Sequence, residues 1–318
     1  MSVPFLISRQ FDDFDEFCVN AQAWDLDYKQ IEGGTFNGYL LLASTGGLQF
    51  TRSRLGRRLI QKGAPPQHLT TFGLLADSEI TMFWRGQQVS GDQMFVFPKG
   101  GELDCVSQSD FDVFAVSIAE QTLSVVCQSL RLPEPHELLG GKEVFSGRSD
   151  DLHLLRQFLL GAQRQLLVSG TGLPNCRILQ EIEFEAAGRF MSFISRDTQV
   201  PIPGRRRQRE TALARATDYV DANYGQSLNV PKLCQVAHVS ERTLEYAFRE
   251  RYGVTPKRFV TAYRLNAAKK ALLFADPGDT TVGEVALNVG FWHMGQFAAD
   301  YSNLFGELPS KTLQRSIR

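Results

Sequence analysis

Arg242, Glu245, Tyr246 and Arg249 recur at offsets of three, four and seven residues, the spacing that lines up side chains on one face of an α-helix. Their types suit the major groove of double-stranded DNA, where a guanidinium can bond guanine N7 and O6 and a carboxylate can accept from cytosine N4. Leu244, Ala247 and Phe248 form the opposite, apolar side, and Ser240 stands where an N-cap would open the helix. Just upstream, Val230, Leu233, Cys234 and Ala237 share the face of a shorter helix, with Pro231 in its first turn and His238-Val239 as the break. A solvated helix face would use Glu245 and Tyr246 equally well. Arg242, at the exposed start of the second helix, is expected on DNA.

The pattern recurs about fifty residues later in TTVGEVALNVGFWHMGQFAADYSNLFGELPSKTL (280–313). Val282, Val285 and Ala286 face inward, Gly290 makes the turn, and Phe297, Tyr301 and Leu304 mark the buried side of the helix that follows. Met294, Gly295, Gln296 and Ala299 face outward, with His293 as the residue available for capping. This surface is poor in donors apart from Gln296, so the first unit is expected to carry most base readout; the second would add phosphate contacts, shape and one amide contact. Pro256 to Phe274 reads as a single connecting helix with a basic flank. Charge agrees with a polyanion partner: residues 205–318 hold 17 Lys and Arg against 11 Asp and Glu, a net of +6, while residues 1–204 carry a net of −7.

Residues 1–120 are expected to be β-rich. Apolar or alternating runs at 39–43, 47–55, 70–76, 79–86, 93–101 and 112–119 are separated by turn residues. Two amphipathic helices are predicted at 150–169 and 176–195, then a Pro, Gly and Arg-rich linker at 197–210. The five cysteines are scattered, with no C-x-x-C, which reads as reduced thiols. There is no run of about 18 apolar residues and no basic segment leading an apolar one at the N-terminus, so a cytoplasmic protein without a membrane span is expected. The first 120 residues contain one histidine, His68, too few for a metal-dependent oxygenase or isomerase, and it is expected on a loop. No nucleophile elbow, P-loop or dinucleotide fingerprint occurs, so enzymatic function is not expected and no cofactor is implied.

The two helix pairs, the connecting helix and the trailing Gly306-x-x-Pro309 together resemble the DNA-binding domain of the AraC/XylS transcription regulators over about the last third of the chain, and FWHMGQFAADY is similar to the ethanolamine-operon-regulator type. The resemblance implies an α+β protein with a cupin-like β-barrel sensor (1–120), a helical dimerisation region (121–196), a linker (197–210) and an all-α double helix-turn-helix domain (211–318). It also implies a homodimer that binds promoter DNA and works with RNA polymerase under the control of a small-molecule effector. Where that family usually places a small hydroxyl cap before the second recognition helix, this chain has His293.

Two further pieces look like parts of a PilZ-type cyclic diguanylate site: R-x-x-x-R at Arg205 and Arg209, and S-x-x-G at Ser44 and Gly47. Arg52, Arg54, Arg57 and Arg58 could join such a pocket. The departures are Leu42, where that pattern wants Asp or Asn, and the order of the pieces along the chain. A basic linker touching DNA phosphates, and a solvated strand face, account for the same residues. A metabolite of the amine or aromatic kind is the other effector class, and a ligand-responsive interaction protein that never reaches DNA is the competing function.

Overall fold

In the computed structural model, residues 5–21, 24–97, 103–168, 176–197, 205–226 and 228–315 are described. The chain divides into two compact units. The first holds the N-terminal strands and the helices that follow them; the second holds the C-terminal helices together with two short segments, Lys29–Thr35 and Arg57–Ile60.

Two sheets build the first unit. One runs in the order β1 (Phe5–Phe11), β3 (Gly38–Ser44), β4 (Leu48–Leu55), β11 (Phe111–Ala119), β6 (Leu69–Leu75), β9 (Gln93–Val96), β12 (Val144–Ser146), and its neighbours pair antiparallel. The other runs β2 (Asp25–Gln30), β5 (Leu59–Ala64), β10 (Leu103–Ser107), β7 (Thr81–Trp84), β8 (Gln87–Ser90). A short helix, α1 (Phe14–Asn20), follows β1, its first turn capped by the Asp13 carboxylate. After β11 come α2 (Glu120–Ser129), α3 (Pro135–Leu139), α4 (Ser149–Val168) and α5 (Cys176–Ile194).

Strand side chains alternate between faces, and on the large sheet the two faces have different duties. Phe50, Phe72, Phe114 and Val116 join Leu155, Leu159, Ile182 and Phe190 of α4 and α5 in one apolar core. The Phe72 and Phe190 rings stack with centroids 4.8 Å apart. Leu40, Leu42, Thr51, Ser53, Val113 and Ala115, on the other face, line a cavity shared with the second sheet.

Each of the six apolar runs read from the sequence overlaps a strand, and the two long helices fall within a residue or two of their expected ends. Strands β1, β2, β5, β8, β10 and β12 escape that reading because they are short or mix polar with apolar residues. β12 also shows that the sheet does not stop at residue 120, since Val144–Ser146 pairs with β9. His68 is exposed and takes a left-handed φ of 66° in the connection between β5 and β6.

The second unit is helical: α6 (Arg205–Asn223), α7 (Val230–Ala237), α8 (Glu241–Tyr252), α9 (Pro256–Phe274), α10 (Val282–Asn288), α11 (Met294–Phe305) and α12 (Pro309–Gln314). The linker expected to reach residue 210 is shorter, because helical backbone begins at Arg205. Arg, Gln, Glu, Ala and Leu are strong helix formers, and a charged composition conceals that propensity. Truncating Phe190 to Ala should remove the stack on Phe72 and destabilise the first unit by about 3–5 kcal/mol, measured as a fall in the urea midpoint.

Candidate nucleic-acid interface and effector cavity

Each end of the first helix pair is set by side-chain chemistry. Asn229 caps α7 by accepting from the Lys232 N–H at 2.9 Å, and His238 ends the helix at a left-handed φ of 55°. Ser240 then caps α8 by accepting from the Thr243 N–H at 3.3 Å. Leu233 and Ala237 of α7 and Leu244, Ala247 and Phe248 of α8 are buried, and Phe248 meets Phe259 of α9 edge-on at 5.0 Å. One side of α8 is thereby consumed by the core and the other is left outside.

Arg242, Tyr246 and Arg249 are exposed and Glu245 is half-buried, so the structure brings all four onto one outer face. They are not equivalent. Arg249 already donates to Glu245 at 3.1 Å one turn away, whereas Arg242 has no hydrogen bond or ion pair among the described residues. Tyr246 is 56% exposed, a large commitment for an aromatic ring.

The second pair repeats the plan with different chemistry. Thr281 and Glu284 form a reciprocal capping box at the start of α10, and the bonds from Thr281 hold the Glu284 carboxyl below the usual carboxylate range. Gly290 makes the turn at φ 86°. His293 occupies the N-cap position of α11 but forms no side-chain cap bond, so the capping acceptor allowed for it is not supplied. Gln296 is exposed, with its amide donating to Asp300 at 2.8 Å, and Met294 is also exposed. Behind them Phe297 and Tyr301 are buried, and the Tyr301 hydroxyl donates to Thr312 at 2.8 Å. Reading by periodicity passed over Trp292, which is 77% exposed just ahead of α11. A large aromatic in a turn, outside any apolar stripe, was the available signal.

Helix α9 holds the two pairs in one body. Arg264 donates to the carbonyls of Tyr224 at 2.7 Å, Gln226 at 2.5 Å and Gly290 at 3.3 Å, tying the end of α6 to the second turn, and burial lowers its pKa. Asn266 clasps the Gln30 backbone from both sides, accepting its N–H at 3.0 Å and donating to its C=O at 2.7 Å. Arg58 donates to the Tyr252 carbonyl at the end of α8.

Among the described residues, the arginines expected in a cyclic-dinucleotide pocket have other partners. Arg52 and Arg54 both bond Asp112, at 2.7 and 3.0 Å, and Arg52 also donates to Gln163 of α4. Their neighbours Thr51 and Ser53 line the cavity, which by alternation leaves these arginines on the opposite face of β4. Arg57 and Arg58 donate to backbone carbonyls. Ser44 pairs with Gln49 at one end of the β3–β4 hairpin and Arg54 pairs with Tyr39 at the other, a separation of roughly 17 Å at strand rise. Gly47 abuts the Glu183 carboxylate, where an added Cβ would lie 2.8 Å from both oxygens, a poor neighbour for an anion. The side chains of Arg205 and Arg209 lie outside the described residues.

Residues 233–315 match the family described as "Helix-turn-helix domain". The C-terminal unit carries an AraC/XylS-type helix-turn-helix domain. Over this domain the chain is 39% identical across 99 residues to the probable thc operon regulatory protein of Rhodococcus erythropolis, covering 31% of this chain and 30% of that one. It is 36% identical across 101 residues to XylDLEGF operon transcriptional activator 3 of Pseudomonas putida, covering 32% and 30%. The chain thus spans about 30% of the length of these two relatives. Among solved structures, a probable AraC family transcriptional regulator from Rhodopseudomonas palustris is 36% identical, with 34% of this chain and 98% of that chain covered and a TM-score of 0.31. Among the described residues, no helix is long and apolar enough to cross a membrane.

The AraC/XylS-type domain should lose about 1 kcal/mol of stability on Ser240→Ala, read as a lower urea midpoint with the helical spectrum retained.

Proposed function

We propose that the chain is a sequence-specific DNA-binding regulator of transcription, an activator in the manner that the names of its Pseudomonas putida relatives state, with α8 as its main reader of base edges. The observation that carries this reading is the outer face of α8, where Arg242 has no partner among the described residues and Tyr246 is exposed while α7 and α9 pack behind. Gln296 and Met294 on α11 add the second contact. Lys257 and Arg258, exposed in the first turn of α9, suit phosphates. Promoter DNA and RNA polymerase are the partners this implies.

The first unit serves in this reading as the sensor, and the cavity between its sheets as the effector site. An effector would act by binding one arrangement of the molecule better than another. The homodimer belongs to the same reading. Its surface is the α4–α5 hairpin, where Leu154 and Phe184 are exposed and Asp151, Glu185, Arg189 and Arg196 border a groove. A second copy related by a two-fold axis presents complementary charge to such a groove.

Cyclic diguanylate remains the rival effector, on the strength of Arg205 and Arg209 alone. Titration calorimetry separates the two. Heat with the wild type that is lost in the Arg205→Ala/Arg209→Ala double variant establishes the nucleotide, and no heat with the wild type removes it.

DNA selected by the protein from random duplexes tests the regulator reading. Arg242→Ala should weaken binding to the selected sequence by about 1–3 kcal/mol and change binding to scrambled duplex little. Equal losses on both would refute base readout at Arg242, and retention on neither DNA nor heparin would favour the non-DNA-binding interaction protein.

A further inference from the structure

We infer that the cavity of the first unit takes an uncharged ligand about one aromatic ring in size that carries a hydrogen-bond acceptor, and that it rejects anions. This deepens the effector reading above and rests on it.

Size comes first. The cavity measures about 60 Å³, room for roughly four to six water molecules at the space each needs, and those waters together match a single ring in volume. A dinucleotide exceeds it several-fold.

The wall then sets polarity. Trp24, Trp84, Phe95, Phe97 and Phe111 contribute aromatic surface, and among the described residues that line it there is no Asp, Glu, Lys, Arg or His. The arginines of β4 are turned to the other face and committed to Asp112. An ion entering here would surrender its hydration without a counter-charge, at a cost of several kcal/mol. Tyr28, also in the wall, has its hydroxyl pushed far above the usual range by burial first and by Cys18 and Cys105 second, so it stays protonated.

Unmet hydrogen bonding sets the acceptor. Trp24 Nε1, Trp84 Nε1, Gln61 Nε2 and Thr51 Oγ1 are buried without a partner among the described residues, and all four residues line this cavity. Buried polar groups are normally bonded, and leaving one unmade costs free energy. An indole N–H can only donate and an amide NH₂ only donates, so this set is rich in donors, and what complements it is a carbonyl, carboxamide or ether oxygen.

The test uses the full chain with Trp292→Phe, which leaves Trp24 and Trp84 as the only tryptophans of the sequence. Three probes of matched shape are titrated at pH 7.5: benzamide, benzoate and toluene. Benzamide should change tryptophan emission saturably and raise Tm, toluene should bind about tenfold more weakly for want of an acceptor, and benzoate should do neither at the same concentrations. Gln61→Leu should erase most of the preference for benzamide over toluene while leaving toluene binding in place; if that variant fails to fold, Thr51→Val supplies the same comparison. Benzoate binding as tightly as benzamide would overturn the inferred class and leave the cavity standing as an effector site. No response to any of the three would overturn both, leaving a water-filled hole, while DNA binding by α8 is decided separately by Arg242→Ala.

Discussion

The period of a helix or a strand fixes which side chains share a face, and that constraint decides where chemistry can sit in this chain. In α8 the burial of Leu244, Ala247 and Phe248 against α7 and α9 leaves Arg242 and Tyr246 no place but solvent. Strand β4 obeys the same rule with a period of two. Phe50 packs into the helical core on one face, and Thr51 and Ser53 line the cavity on the other. A one-residue slip of that strand would turn Phe50, Arg52 and Arg54 toward the cavity and Thr51 and Ser53 toward the helical core. Register is therefore what keeps the cavity uncharged.

Inside the second unit the two helix pairs depend on α9 and the polar clasps it provides. Arg264 collects three carbonyls at the end of α6 and at the second turn. Lys269 and Glu307 form an ion pair at 3.5 Å with both side chains largely buried. Charged groups at such depth hold their places because leaving a partner unpaired is costly. In the proposed reading, two helices on one rod address two segments of a groove only if their spacing is held, and these bonds hold it.

Legibility followed the range of the interactions involved. The helix pairs were readable because caps, turns and apolar stripes act within about seven residues: Ser240 does cap α8, His238 does close α7, and Gly290 does take a positive φ. His293 kept its position and lost its expected role, since a cap needs side-chain geometry that residue type does not guarantee. The strands passed over were those without clear alternation, and the first turns of α6 were concealed by charge.

By itself the sequence determined the α+β order, the doubled helix-turn-helix and the outer face of α8, because these follow from periodicities internal to each segment. Only the tertiary structure decided which arginines are available. Arg52 is taken by Asp112 and Gln163, 60 and 111 residues away along the chain, while Arg242 has no partner among the described residues. Likewise, only the packed sheets brought Trp24, Thr51, Gln61 and Trp84 around one uncharged cavity. Ion pairing and desolvation depend on which distant residues become neighbours, and that is settled when the sheets and helices close on one another.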